Sequence, residues 1–297
     1  MIPISAMTSV YRDRTTGVID QCQAIRRLKK VGFDIADMTL HSMKKPSDSP
    51  LCRPGWEKEL ERILATKEEV GVTFYQTHPD FRKGSIRAYE DPEAEAFFWT
   101  MVRRGLYITA QIGAKWAVLH PVNDVSTMDV DFQIRLNHRV YDELVDYAAK
   151  LGIGIAFENM VETGKDGKPH RFSSYPEELI ALCDSYHCDQ VKLCWDFGHG
   201  NTAIPDRQDQ ALRDMGSRLV CLHVDDNFGG WDQHLLPFRG NVPWEKLMPV
   251  LKEIHFPGNI NLEVPFSSFM PKELTDEAVH FTYSISQKLA RMAEGTV

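Results

Sequence analysis

Short apolar runs alternate along the chain with longer stretches of helical period. The run "IPISAM" is followed by a helical pattern through Val18, Cys22, Ile25 and Leu28, and "GFDIADMTL" by one from Trp56 to Val70. "GVTFYQTH" precedes a long helix through Ala96, Trp99 and Val102, and "GAKWAVLH" precedes one from near Val130 to Lys150. "GIGIAFEN", "DQVKLCWDFGH", "SRLVCLHVDD" and "GNINLEVP" complete the series of runs. The last helix carries Leu274, Ala278, Phe281, Ile285 and Leu289 at spacings of four, three, four and four. The pattern predicts eight strands, each followed by a helix or helical segment; the least regular segment is "PDRQDQALRDMG" after the sixth strand.

Runs buried on both faces read as parallel strands, and strand–helix alternation gives right-handed crossovers. Eight such units within 297 residues suit a closed α/β (β/α)₈ TIM barrel better than an open sheet. No Gly/Ser linker or low-complexity tract divides the chain, so residues 1–297 are expected to form a single domain.

In such a barrel the active site lies at the C-terminal ends of the strands. Strands three to eight end at His78, His120, Glu158, Asp196, His223 and Glu263, at intervals of 42, 38, 38, 27 and 40 residues. One such residue is ordinarily a turn former or helix cap. Six in succession, drawn only from His, Asp and Glu, are better explained by convergence on one mouth. Imidazoles with carboxylates are donors for borderline to hard divalent ions, and the absence of cysteine from the set opposes a structural zinc–thiolate site. Converging acids would also repel one another without a cation. Nearby, "CWDFGHGN" sets His199 three residues after Asp196, and "GGWDQHLLPFRGNVPW" sets Asp232 and His234 two apart. An extended segment would point both of that pair to one side.

Composition narrows the function. With 43% hydrophobic residues the chain can bury a large core, and no apolar stretch approaches the roughly 20 residues that cross a bilayer. The start "MIPISAMTSVYRDR" lacks the pattern of a signal peptide, so a cytoplasmic protein with no membrane association is expected. The six cysteines form no CxxC pair and read as reduced core thiols. A net charge of −8 opposes nucleic acid as a partner, since only short basic pieces such as "DFRKGSIR" and "KDGKPHR" fall near the expected mouth.

From strand four onward especially, the chain resembles the xylose isomerase-like TIM barrel superfamily, which includes sugar isomerases and epimerases, inositol-pathway enzymes and endonuclease IV. The resemblance implies a divalent ion, Mn²⁺ or Zn²⁺ with Mg²⁺ or Co²⁺ as alternatives, held by Glu158 in "AFENM", Asp196 in "CWDFGHGN", His223 in "LHVDDN" and Glu263 in "NLEVP". It places His199 against substrate oxygens. It also allows the nine-ligand, three-zinc set of endonuclease IV, which would add His78, His120, His199, Asp232 and His234. The ketose 3-epimerases have an Arg six residues after the metal His; Gly229 stands there, and Arg239 in "LPFRGN" is the expected substitute.

The function expected is therefore a metal-dependent sugar or sugar phosphate isomerase or epimerase acting on a small polyhydroxy substrate, a ketose or ketose phosphate. Glu158 and Glu263 would move a proton next to a carbonyl through a metal-stabilised enediolate. The alternatives are an endonuclease IV-like zinc phosphodiesterase or a lyase such as inosose dehydratase. A homo-oligomer is compatible with either reading.

Overall fold

The computed structural model describes residues 1–13, 15–41, 43, 45–79, 91–163, 170–265 and 270–296. Its strands are β1 (Ile4–Met7), β2 (Ile35–Thr39), β3 (Thr73–His78), β4 (Trp116–Leu119), β5 (Gly154–Glu158), β6 (Val191–Asp196), β7 (Leu219–His223) and β8 (Ile260–Leu262). Between and after them run α1 (Gln21–Val31), α2 (Trp56–Val70), α3 (Pro92–Gln111), α4 (Val130–Lys150), α5 (Pro176–Ser185), α6 (Phe197–Ala203), α7 (Gln208–Met215), α8 (Trp244–Glu253) and α9 (Thr275–Glu294). Each strand lies parallel to its neighbours in the order β7-β6-β5-β4-β3-β2-β1-β8. The ring closes between β7 and β8 through one parallel bridge, Val224 to Leu262, with Val224 N–H donating to Asn261 O at 2.9 Å and Glu263 N–H to Val224 O at 3.1 Å. This is the single-domain TIM barrel expected from the alternation.

Helix boundaries follow local chemistry. Asp20, Asp91 and Asp129 accept N–H bonds as N-caps of α1, α3 and α4, and Gly71 ends α2 in the left-handed region at φ 66°. The Asp20 cap explains why α1 starts after Val18, which the periodicity places inside it. The polar segment after β6 is helical as expected, and α7 buries Gln208, Ala211, Leu212 and Met215.

The last helix is rotated relative to its apolar stripe. Leu274 and Phe281 are exposed, while Val279, Thr282, Ile285, Ser286 and Leu289 face inward. Burial of the two hydroxyls is tolerated because Thr282 and Ser286 donate to the carbonyls four residues earlier, both at 2.9 Å. Among the described residues no helix is long and apolar enough to cross a membrane.

Side chains alternate across each strand, so residues two apart share a face. Glu158 therefore stands on the same face as Ala156, Asp196 as Cys194 and His223 as Cys221. Those three small residues join Trp116, Val118 and Val220 in a separate buried cluster within the barrel, a dry floor beneath the strand ends. Gly154 admits the Trp116 indole: a Cβ there would fall inside contact distance of the ring and 2.8 Å from Gln190 O.

Gly154→Ala is thus expected to destabilise the protein by about 1–3 kcal/mol through overpacking, read as a lower denaturant midpoint. Combining it with Trp116→Leu should recover part of the loss in a double-mutant cycle; additivity of the two changes would contradict the packing account.

Candidate active site at the strand ends

His78, Glu158, Asp196 and His223 are the last residues of β3, β5, β6 and β7, and His120 and Glu263 directly follow β4 and β8. The barrel brings all six together, as the spacing predicts. Glu158 is ringed by imidazoles: its Oε2 lies 3.1 Å from His120 Nε2 and 3.4 Å from His78 Nε2, and its Oε1 lies 3.2 Å from His223 Nδ1 and 3.4 Å from His199 Nδ1. His223 Nδ1 is also 2.8 Å from Glu263 Oε2. One donor atom from each of Glu158, Asp196, His223 and Glu263 falls within 4.8 Å of the others.

Asp196 both caps a helix and faces the cluster. Its Oδ1 accepts the His199 N–H at 2.5 Å and so starts α6, while its Oδ2 is buried with no hydrogen-bond partner among the described residues. Asn159 fixes this corner by donating to Asp196 O at 2.9 Å and accepting the Asp196 N–H at 2.6 Å. Its backbone oxygen is 2.8 Å from His199 Nδ1, which donates to it, and Nε2 faces Asp232 Oδ2 at 3.5 Å; burial would lower this imidazole, yet Asp196 and Asp232 hold it well above its ordinary range.

The long segment between β7 and α8 is pinned by Asp226. Its carboxylate accepts from the N–H groups of Asn227, Phe238 and Val242 and from Trp244 Nε1, at 2.9 to 3.1 Å. Asp232 and His234 do face one another, with Asp232 Oδ2 2.9 Å from His234 Nε2. They do so through a left-handed residue, His234 at φ 44°, rather than through the extended backbone expected of the pair.

Sequence reading missed Asp225, because neighbouring acids in "HVDD" gave no sign that one turns inward. It is wholly buried, with Oδ2 3.0 Å from His234 Nδ1. Gly198 makes room for it, since a Cβ at that position would collide with Asp225 Oδ1.

The charges are unbalanced in a way a cation would relieve. Burial pushes the Asp196 carboxyl well above its usual range, and the nearby Asp225 and Glu158 push it further. Burial raises Asp225 as well. Burial would also raise Glu158, but His223 and His120 outweigh it and hold Glu158 well below the carboxylate range. Glu263 is likewise pulled down to about 2 against burial by His223 and His234. Burial would lower His223, yet Glu263 and Glu158 hold it well above an ordinary imidazole. Burial does depress His120, to about 4.

Asp196 Oδ2 and His223 Nε2 are buried without a hydrogen-bond partner among the described residues, and Glu158 Oε2 and His223 Nδ1 meet their neighbours at ion-pair distance without hydrogen-bond geometry. Buried lone pairs of N and O type, with no thiolate among them, fit a divalent ion such as Mn²⁺ or Zn²⁺.

The cluster opens into a cavity of about 430 Å³ lined by His41, His78, His120, Glu158, Met160, Val161, Arg171, His199, Asp232, His234 and Glu263. Arg239, expected to supply a cation there, is exposed and does not line it. Its neighbour Phe238 is held through its N–H by the Asp226 carboxylate at 2.9 Å. Among the described residues the cation that lines the cavity is Arg171, the last residue of "KDGKPHR". All of "DFRKGSIR" and the "KDGKP" of "KDGKPHR" lie outside the described residues. His41 also lines the cavity and was not singled out, because its strand ends at Thr39 and the apolar run before it carries no histidine.

The structure is a parallel (β/α)₈ barrel with imidazoles and carboxylates converging at its strand ends. A family model described as the xylose isomerase-like TIM barrel matches residues 25–285, and the chain belongs to that family. The protein y4fM of Sinorhizobium fredii is 26% identical over 177 residues, which is 58% of this chain and 54% of y4fM, so the match spans about half of that relative's length. The D-psicose 3-epimerase of Ruminiclostridium cellulolyticum is 22% identical over 251 residues, 82% of this chain and 77% of that enzyme.

Among solved structures, D-psicose 3-epimerase with D-tagatose from Clostridium cellulolyticum H10 superposes with a TM-score of 0.71 at 16% identity, covering 98% of this chain and 99% of that one. A xylose isomerase domain protein from Alicyclobacillus acidocaldarius gives 0.73 at 15% identity, covering 99% and 100%. At such identities the likeness establishes the fold.

The raised His223 sets the direction of a pH effect on ion binding. Against burial, Glu263 and Glu158 make this imidazole hold its proton more firmly than an ordinary one, and a divalent ion ligated there would have to displace it. Divalent-ion affinity should therefore rise with pH and weaken in acid, with about one proton released per ion. Calorimetric titration in buffers of different ionisation enthalpy measures this; pH-independent affinity would show that His223 is not a ligand.

Proposed function

We propose that the protein is a divalent-metal-dependent isomerase or epimerase of sugars or sugar phosphates. The observation that carries this reading is the convergence of Glu158, Asp196, His223 and Glu263 donor atoms within 4.8 Å of one another, with Glu158 and Glu263 lining the cavity. The epimerases among its fold relatives support it.

A bound divalent ion would supply Lewis-acid polarisation of a ketose carbonyl and its neighbouring hydroxyl, acidifying the C–H between them. The protein's own groups do the rest. Glu158 and Glu263 approach His223 Nδ1 at 3.2 and 2.8 Å, so two carboxylates flank one point. One accepts the carbon-bound proton and the other returns a proton, to the opposite face for epimerisation or to the adjacent carbon for isomerisation. Glu158, held ionised by its imidazoles, is suited to the accepting role. His199 presents Nε2 towards the cavity side, where an imidazole can hydrogen-bond sugar hydroxyls.

A second reading rests on a different observation. His78 and His120 both approach Glu158 Oε2, and His199 and His234 both approach Asp232 Oδ2. Donor atoms of His78, Glu158 and His223, and of Asp225, His234 and Glu263, also fall within 4.8 Å of one another, which would offer places for further cations as in a three-zinc phosphodiesterase.

Glu158→Gln and Glu263→Gln should each lower ketose turnover by roughly 10²-fold or more with the fold retained, because both keep shape and remove a base. Full activity in either variant, or after exhaustive chelation, would overturn the proton-transfer reading.

Ion counting separates the two readings. Elemental analysis of protein purified without added metal is expected to give about one equivalent per chain. Close to three zinc ions, falling by two when His78, His120 and His234 are replaced, together with cleavage of an abasic oligonucleotide lost in Glu158→Gln, would establish the phosphodiesterase instead.

A further inference from the structure

Arginines in this protein ordinarily have a carboxylate or a carbonyl to bind. Arg26 meets Glu69, Arg27 meets Asp276, Arg103 meets Glu143, Arg207 meets Glu177 and Arg218 meets Asp184, all within 2.9 Å. Arg12 and Arg104, which are withdrawn from solvent and lack such a carboxylate, donate instead to Gly17 O at 3.2 Å and Leu51 O at 2.6 Å.

Arg171 has neither kind of partner. It is partly buried, it lines the cavity above the quartet, and its guanidinium makes no hydrogen bond and no ion pair within 4.0 Å among the described residues. Burial lowers its pKa, which marks a guanidinium stripped of part of its water, and the attraction of Glu158 does not offset this. A desolvated cation left unpaired is costly unless a ligand completes it.

The position is also built. On one side His170 Nε2 is 2.6 Å from Glu178 Oε1. On the other, buried Phe172 has its N–H on Asn123 Oδ1 at 3.3 Å, and the Ser173 N–H donates to Glu178 Oε2 at 2.9 Å. The backbone is therefore held just after Arg171, at Phe172 and Ser173, and the His170 side chain is held before it.

Among the described residues the other polar groups lining the cavity are carboxylates and imidazoles, which suffice for hydroxyls. A planar guanidinium with five donors matches phosphate or carboxylate oxygens in pairs. Resting on the isomerase reading for the chemistry at the quartet, we propose that Arg171 binds an anionic group of the substrate, so that the natural substrate is an acidic ketose carrying a phosphate monoester or a carboxylate.

The test compares kcat/KM for a neutral ketose, its terminal phosphate ester and a ketose of equal length ending in a carboxylate, using the metal-loaded wild type, Arg171→Gln and Arg171→Lys. Inorganic phosphate is titrated calorimetrically into each protein. The wild type should prefer an acidic ketose, and Arg171→Gln should cut the acidic-to-neutral ratio by roughly 10- to 100-fold, the range of one hydrogen-bonded charge. Arg171→Lys, which keeps the charge without the paired donors, should fall between and guards against a folding defect. The larger loss, with phosphate or with carboxylate, identifies the anion.

A wild type that turns over the neutral ketose as well as both acids overturns the inference and leaves the isomerase reading standing. If no ketose reacts, the isomerase reading fails and the phosphate titration decides alone. Binding lost in Arg171→Gln then upholds the anion site, and equal binding or none in both proteins overturns it.

Discussion

A carboxylate with almost no access to water, Glu158, stands among four imidazoles, and the surrounding architecture serves to keep it there. A buried, ionised carboxylate is expensive unless charge or hydrogen bonding compensates for the lost water. The compensating rings come from β3, β4, β7 and the start of α6, so they meet only if the sheet curls into a barrel with its registers intact. Slippage of a strand by one residue would turn its terminal side chain to the outer face. The apolar floor of Trp116, Ala156, Cys194 and Cys221 fixes the level below, and the Asp226 carboxylate fixes the loop above.

Much of this was legible in the sequence, for a physical reason. Burial on both faces of a parallel strand yields runs such as "GIGIAFEN", and a polar residue at the end of such a run has only the mouth to enter. That reasoning brings His78, His120, Glu158, Asp196, His223 and Glu263 to one place, and helices α2 and α4 begin and end where their periodicity says. It fails where position depends on contacts distant in sequence. Asp225 turns inward because Gly198 leaves space for it. Arg171 enters the cavity because Asn123 and Glu178 anchor its neighbours. Arg239 remains outside although it sits in the same loop as His234. The inward face of α9 depends on hydroxyls satisfying their own helix, which apolar periodicity does not register.

The two sides of the site differ in character. Around Glu158 and Asp196 the donors sit on strand ends or on a helix capped by the strand end itself, so their positions follow from the barrel. Asp232 and His234 belong to a loop whose geometry is set by one carboxylate and one left-handed residue.

The junction of β7 and β8 is the thinnest in the ring, a single bridge between Val224 and Leu262. Those residues are the immediate chain neighbours of His223 and Glu263. Any ligand gripped by both side chains spans this seam and acts as a clasp on the barrel. Two backbone hydrogen bonds at Val224 already join the strands, so a bound ligand would add to the closure there rather than create it.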